Sequence, residues 1–319
     1  MAWQRLGQAG WFGTVAMLAA LAACTPQPPV EPTLKPIARP ETPPAPPPVV
    51  AKPTSQKSAK LRSYFHQVQQ AQLSQGLLRR DGGGQDTPFS AGMLVRNFEQ
   101  IAFYNEYNAT LTGRGDKSPM RRWERPVRME VVFGDGVPPS ERARDEASIK
   151  DYAARLAATT QHSVSVGGKP NFMVIVAGED DRSDALALAA KRIPGVTAES
   201  LAALSDLRRD TYCVVAAYAG GADPNIYTAA VAVIRAENPS LMRLSCIHEE
   251  LAQGLGLAND SPTARPSIFN DDDEFALLTR HDELLLKMLY DPRLHAGMTA
   301  EEATPVAREI ANELLGGPV

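Results

Sequence analysis

The chain has 319 residues, of which 44% are hydrophobic and 22% are charged, and its formal net charge is −4. This composition is typical of a globular protein with a sizeable apolar core, and the mild acidity argues against a nucleic-acid partner. No segment after the first 23 residues is apolar enough to cross a bilayer.

The N-terminus has the parts of an export signal. Arg5 supplies positive charge, an apolar stretch extends over residues 11–22, and small residues lead to Cys24. A stretch of about a dozen residues is too short to span a bilayer, so residues 1–23 are predicted to be a signal peptide.

Residues 21–24, Leu-Ala-Ala-Cys, resemble the lipobox of bacterial lipoproteins. The resemblance implies that Cys24 becomes a lipidated N-terminus, and several acyl chains anchor a protein stably. Because Thr25 rather than aspartate comes after the cysteine, similarity to Gram-negative sorting implies the outer membrane, with the protein on its periplasmic face. The alternatives to lipidation are an ordinary cleaved signal and a short buried helix with a free thiol.

A proline-rich tether is predicted over residues 24–54. Residues 26–53 hold twelve of the chain's 26 prolines, which can neither pair into a sheet nor continue a helix. At roughly 3.1 Å per residue, such a semi-rigid spacer could reach on the order of 80 Å.

Helical spacing of apolar residues predicts the first elements of the folded part. One helix is expected over residues 60–78, before the stop signal formed by Asp81 and three glycines, and another after the N-cap residue Ser90. We expect these helices to form an N-terminal helical segment, residues 55–120, that packs on a main domain of residues 121–319.

From Trp123 onward, helical and strand patterns are mixed, and no internal repeat is present. This order predicts the α+β class, with about three to five strands and additional helices at both ends. The predicted elements are a strand over 127–133, a helix over 140–159, a strand over 172–176, a helical or mixed segment over 185–207, strands over 212–218 and 227–234, and helices over 240–257, 274–290 and 302–315.

Two cysteines, Cys213 and Cys246, remain once Cys24 is assigned to lipid. An exported compartment is oxidising, so the two are predicted to form a disulfide. Two buried free thiols are the alternative.

The most informative stretch is residues 246–260. Zinc peptidases place two histidines four residues apart on a helix, with a glutamate after the first, so that the carboxylate reaches a metal-bound water. His248 does not fit, because residue 252 is alanine, and we expect His248 to be structural. Glu249 and Gln253 fit the spacing, with Glu250 in the general-base position.

This frame resembles the metzincin signature, in which a glycine turn leads to a third ligand. The resemblance implies ligand positions at Glu249, Gln253 and Asn259, with Gly256 at the turn and Asp260 after them. It also implies a zincin-like twisted, mixed sheet packed with helices. An unrelated helix with a glycine C-cap is the alternative.

Three other stretches agree with the resemblance, which covers roughly residues 123–290. Residues 267–270 resemble a Met-turn with Phe269 in the place of methionine, residues 278–290 resemble the closing helix of the matrixin-like branch, and residues 123–126 resemble its opening. The whole chain is similar to an uncharacterised family of proteobacterial lipoproteins, whose domain has no assigned function.

The ligand set departs from the metzincin pattern. Zinc prefers imidazole and thiolate donors, whereas this set offers one carboxylate and two amide oxygens. Ca²⁺ and Mg²⁺ favour oxygen but want more than three ligands. We therefore expect no cofactor and a non-catalytic module that binds an extended peptide or an envelope protein. The alternative is a metal-dependent hydrolase that uses zinc or another divalent metal, with Glu250 as general base.

Residues 271–274, three aspartates and a glutamate, precede the predicted helix over 274–290. Carboxylates at a helix N-terminus complement the helix dipole, so we expect a capping role. A calcium site is the alternative.

Overall fold

A computed structural model of the protein describes residues 54–106 and 115–317. The predicted signal peptide, the lipidation site Cys24 and nearly all of the predicted tether lie outside the described residues. In the part that is described, no helix combines the length and apolar character needed to cross a bilayer.

Helices account for most of the regular structure. Several begin at side-chain caps, including Ser55, Ser90 and Thr279, whose hydroxyl oxygens accept hydrogen bonds from backbone N–H groups that the helix leaves unpaired. The helices are α1 (Gln56–Ser74), α2 (Ala91–Ala102), α3 (Pro139–Thr160), α4 (Arg182–Arg192), α5 (Ala202–Ser205), α6 (Ser240–Gln253), α7 (Arg280–Leu289) and α8 (Ala300–Leu314).

Seven strands form two sheets in the described residues. The larger sheet has five strands in the order β3-β2-β4-β7-β5, and the smaller pairs β1 with β6. The strands are β1 (Arg122–Trp123), β2 (Val127–Phe133), β3 (Val164–Val166), β4 (Phe172–Ala177), β5 (Cys213–Tyr218), β6 (Ile226–Tyr227) and β7 (Ala229–Arg235).

Strand β5 differs from the rest of the larger sheet in its direction. Strands β2, β3, β4 and β7 run parallel, whereas β5 is antiparallel to β7 and lies at the edge of the sheet. The central strands β4 and β7 are buried along their whole length, which explains their continuous apolar sequences. The predicted α+β class is confirmed.

Two cores cover the two faces of the sheet. On one face, residues such as Val174 and Ala232 pack with α2, α3, α6, α7 and α8, and on the other Ile175 and Val233 pack against α4. Helix α2 therefore shares the core of the main domain. Helix α1 packs in a smaller cluster of its own, around Phe65.

Helix α1 is also attached by a buried ionic network. Glu179 bonds to Arg182 and Arg235, both almost fully buried, and to the exposed Lys57 of α1. Burial raises the pKa of Glu179, but the hydrogen bonds from Arg182 and Lys57 outweigh it and lower the pKa to about 2. The carboxylate is therefore held in its ionised form.

Two helices of the structure have bounds that differ from the predicted ones. The helix predicted over 274–290 begins only at Arg280, because Thr279 caps it and residues 274–279 form a loop in which Phe275 bridges to Arg79. The acidic run 271–274 consequently does not cap a helix. The helix predicted over 240–257 ends at Gln253, where a glycine-containing turn begins.

Candidate functional site

Helix α6 presents one face to strand β5. Cys246, Glu249, Glu250 and Gln253 recur at intervals of three and four residues, so their side chains lie on one side of the helix. Ile247 and Leu251, on another side, are buried in the core. The sequence of α6 therefore separates an apolar anchoring face from a polar stripe.

A disulfide fastens this stripe to the sheet. Cys213, the first residue of β5, is bonded to Cys246 in α6. The bond fixes the beginning of the edge strand one helical turn before Glu249 and Glu250.

The turn after α6 requires Gly256. Its φ is +128°, a conformation that side chains rarely adopt, and a Cβ atom there would collide with the carbonyl oxygen of Arg121. The Trp123 indole donates to the carbonyl of Gly254 at 2.8 Å, and the Tyr290 hydroxyl donates to that of Leu255 at 2.9 Å. Trp123 and Tyr290 both belong to stretches that resemble the metzincin frame.

This turn brings Asp260 back to α6. Gln253 Nε2 donates to Asp260 Oδ1 at 3.0 Å and to Glu106 Oε2 at 3.2 Å. The predicted third ligand position, Asn259, uses its amide to donate to the carbonyl oxygen of Gln100 at 2.8 Å. The structure thus gathers Gln253, Asp260 and Glu106, whereas the Asn259 amide contacts α2.

Glu249 and Glu250 complete a carboxyl cluster with Asp260 and Glu106. Glu250 is only 4% exposed, and its Oε2 atom has no hydrogen-bond partner. Burial, and then the charges of Glu106 and Asp260, raise the pKa of Glu250 well above its ordinary range. Burial, and then the Glu250 carboxylate, raise the pKa of the half-buried Glu249 in the same direction.

Asp260 behaves in the same way. Burial, and then the charges of Glu106 and Glu249, raise its pKa, while the hydrogen bond from Gln253 opposes the rise. The site is therefore rich in carboxyl groups that resist ionisation, and a cation entering it would favour their charged forms.

A cleft of about 490 Å³ runs along the edge of β5 and opens beside this cluster. Glu106 of the carboxyl cluster lines this cleft, as does Gln253, which donates to Glu106 and Asp260. Arg121 and Tyr227 also line it. Small or apolar residues at or next to α5 (Ser200, Ala203 and Leu204) and in β5 (Val215, Ala216 and Ala217) also line the cleft.

The donors do not fit zinc. Among the described residues, the one group of three candidate ligands whose atoms lie within 4.8 Å of one another is Cys213, Glu249 and Glu250. Cys213 is held in the disulfide and supplies no thiolate. Two carboxylates and a neighbouring amide lack the nitrogen and sulfur donors that zinc prefers.

His248 faces away from the carboxyl stripe. Its Nδ1 atom accepts a hydrogen bond from the backbone N–H of Leu278 at 3.1 Å, and its ring stacks on that of Tyr152. Burial, and then the charge of Arg155, lower its pKa to about 3. His248 is therefore a neutral core residue that joins α6 to the segment before α7.

Residues 267–270 are held by the N-terminus of α7. Asp282 accepts hydrogen bonds from the Ser267 hydroxyl, the Ile268 N–H and the Thr279 hydroxyl. Phe269, which takes the place of methionine in the resemblance, is fully buried.

Glu106 was not predicted from the sequence. It lies four residues after the end of α2 and precedes Glu249 by more than a hundred, so no local spacing joins the two. Only the fold places it beside Gln253. The metzincin-like spacing places Asp260 directly after the ligand positions, but its role as the acceptor for Gln253 depends on the course of the turn.

Fold and site together define an α+β domain in which a carboxyl cluster lies near the edge strand β5 and the helix that a disulfide links to it. The chain belongs to the family described as "Protein of unknown function (DUF2927)", whose model matches residues 91–309, from α2 into α8. The expectation of a family without an assigned function is confirmed, while lipidation and the metzincin-like relationship stay predictions. No curated protein and no solved structure matches the chain.

Proposed function

We propose that the protein is an envelope-anchored lipoprotein whose domain binds an extended segment of polypeptide along the outer edge of β5, without cutting it. The observation that carries this proposal is the outer edge of β5, which pairs with no strand in the described part of the chain and lies beside a cleft of about 490 Å³. An extended peptide adds to such an edge through main-chain hydrogen bonds, and neighbouring pockets receive its side chains.

The hydrogen-bond pattern identifies the backbone groups available to a peptide. The Arg235 N–H donates to the Tyr212 carbonyl, and this register makes alternate residues of β5 bond to β7. The N–H and C=O groups of Cys213, Val215 and Ala217 therefore point away from β7. Six residues of strand extend roughly 20 Å, enough for a peptide of about six residues.

The chemistry of the site favours binding over hydrolysis. Glu250 has the position of a general base in the metzincin frame, but the positions around it supply carboxyl and amide groups in place of imidazoles. In the metzincin frame the glutamate acts on a zinc-bound water of lowered pKa, and this set of donors is a poor one for holding zinc.

The anchor rests on residues outside the described part of the chain. The lipobox-like sequence ending at Cys24 and the proline-rich tether would hold the domain at the periplasmic face of the outer membrane. Substitution Cys24→Ser should move the protein from the membrane fraction to the soluble periplasmic fraction. Retention of that variant in membranes would contradict lipidation.

Proline at the edge of β5 tests peptide binding. Ala217→Pro removes an outward N–H, a change that edge strands tolerate, whereas the matched variant Ala217→Ser keeps it. The probe is a pool of degenerate, N-acetylated nonapeptides, passed over immobilised full-length protein in detergent. We expect the wild type and Ala217→Ser to retain the pool and Ala217→Pro to lose most of the retention.

Thermal unfolding of Ala217→Pro must first show that the variant is folded. Hydrogen–deuterium exchange supplies the second measurement, because added main-chain hydrogen bonds should protect residues 213–218 when peptide is present. Equal retention by all three proteins, or no protection of β5, overturns the proposal.

A further inference from the structure

We propose that Glu249 and Glu250 bind the guanidinium group of an arginine side chain carried by the peptide. This inference rests on the proposed function, since the β5 edge must first hold the peptide main chain. The partner is an extended segment with an arginine near the end that lies beside Cys213.

The unsatisfied oxygen of Glu250 is the starting observation. A buried carboxyl oxygen without a hydrogen bond is destabilising, and such atoms are uncommon in folded proteins. Glu250 Oε2 is in this state, and no hydrogen bond or ion pair reaches the Glu249 carboxylate within the described residues. The carboxyl groups of Glu249 and Glu250 can therefore both accept hydrogen bonds from a bound ligand.

The charges around Glu249 and Glu250 favour a positively charged donor. The charges that raise the pKa of Glu249 and Glu250 belong to other carboxyl groups, among them Glu106 and Asp260. The Gln253 amide already donates to both of those neighbours and is neutral. A cationic ligand is the one that would relieve the repulsion.

The spacing of the carboxyl groups favours guanidinium over a metal ion. Ligand oxygens about 2.4 Å from one Ca²⁺ ion lie no more than about 4.8 Å apart. Among the described residues, Glu249 and Glu250 satisfy this limit together with only the disulfide sulfur of Cys213, so no third carboxylate joins them. A planar guanidinium has five N–H donors and can bridge separate carboxylates.

Arginine also suits the depth of the site better than lysine. Glu250 is nearly inaccessible, so its partner must give up water, and guanidinium is more weakly hydrated than ammonium. Two carboxylates side by side also match its forked geometry, which adds hydrogen bonds without new conformational freedom.

The disulfide fixes the position of the arginine along β5. The Cys213 sulfur lies within 4.8 Å of carboxyl oxygens of Glu249 and Glu250, and Cys213 is the first residue of the strand. The arginine therefore belongs to a peptide residue near this end, while the rest of the segment runs along Val215 and Ala217 into the cleft.

An oriented peptide library tests the inference. Four pools of N-acetylated nonapeptides carry a fixed central arginine, lysine, glutamine or glutamate in otherwise degenerate sequences. Immobilised full-length protein should retain the arginine pool about tenfold better than the glutamine pool, as expected for one charge-assisted pair. Lysine should fall between them and glutamate should be excluded.

The double variant Glu249→Gln/Glu250→Gln should lose the arginine preference while still retaining peptides. The control Glu146→Gln removes a charge of the same sign from an exposed position on α3 and should keep the preference. Arginine preference that persists in the double variant overturns the inference. Retention without any preference in the wild type overturns it too, and leaves the β5 proposal intact.

Retention that Ala217→Pro does not reduce is a failure of the proposed function instead. Direct titration of the wild type with CaCl₂ and ZnCl₂ tests whether Glu249 and Glu250 bind a metal ion instead of a guanidinium group. Saturable binding of either ion that the double variant abolishes would overturn the guanidinium assignment. We expect no saturable binding that depends on these two carboxylates.

Discussion

The disulfide between Cys213 and Cys246 joins the edge strand β5 to the face of α6 that carries Glu249 and Glu250. The cross-link closes a loop between residues 33 positions apart, which limits the freedom of the unfolded chain. We expect the double variant Cys213→Ser/Cys246→Ser to lose about 2–4 kcal/mol of unfolding free energy, measured in urea.

Chemical reduction of the wild type is the matched control, because it breaks the same bond without changing the sequence. The reduced wild type and the double variant should lose a similar amount of unfolding free energy. In both, hydrogen exchange of the β5 amides should be faster than in the oxidised protein. A loss below about 0.5 kcal/mol in both would show that packing alone holds β5 against α6.

The carboxyl cluster should lower stability as the pH rises. The pKa of Glu250 is raised in the folded protein, so the stability associated with its protonated form is fully present below about pH 4.5 and is lost as the pH rises through the folded-state value. We expect Glu250→Gln to be more stable than the wild type at pH 8, by about 1 kcal/mol or more in urea unfolding.

That difference should shrink as the pH falls toward 4.5, because the wild-type carboxyl group is then neutral as well. Glu146→Gln, at an exposed position, should show no comparable gain at pH 8. If Glu250→Gln is less stable than the wild type at every pH, the carboxylate has a stabilising partner and the cluster is not repulsive.

The Glu179 network should stabilise the protein at neutral pH and lose this effect in acid, the reverse of the carboxyl cluster. Glu179→Gln leaves the buried guanidinium groups of Arg182 and Arg235 without their carboxylate, and removal of one partner of a buried pair costs roughly 3–5 kcal/mol. Because the pKa of Glu179 is lowered to about 2, its contribution is present above about pH 4.5 and declines as the pH falls toward 2.

The difference between wild type and Glu179→Gln, measured by urea unfolding, should therefore narrow in acid. Lys57→Gln is the matched comparison, since this lysine bonds to the same carboxylate but is exposed. Its loss should stay below about 1 kcal/mol. Equal losses for the two variants would mean that burial does not govern the strength of this network.

The sequence predicted those parts of the fold that depend on local pattern. The continuous apolar runs of β4 and β7, the cap at Ser90 and the turn at Gly256 all mark features that the structure contains. The predicted start of the helix at residue 274 was wrong, because Phe275, Ala276 and Leu278 are buried within a loop and the helix begins only at Arg280.

The candidate site was only partly predictable, because half of it is assembled by long-range contacts. Glu249, Glu250 and Gln253 lie on one helix, so periodicity alone places them together. Glu106 reaches them from beyond α2, and no spacing in the sequence encodes that approach. Asn259 was expected to converge, but the hydrogen bond of its amide to Gln100 directs it to α2.

Two capping boxes of different burial give a final prediction. Asp282 in α7 and Glu302 in α8 each pair with an N-cap threonine, but Asp282 is fully buried and also accepts from Ser267 and Ile268. Asp282→Ala leaves several buried donors unsatisfied, so we expect a loss on the order of 4 kcal/mol. Glu302→Ala at the exposed box should cost about 0.5–1 kcal/mol.

Urea unfolding of both variants supplies the comparison, and limited proteolysis should show cleavage near residues 267–270 only in Asp282→Ala. We expect this difference because Asp282 holds that loop as well as the helix N-terminus, whereas Glu302 serves the helix alone. Similar losses in the two variants would mean that the hydrogen bonds to Ser267 and Ile268 contribute little, and that the loop is held by burial of Phe269.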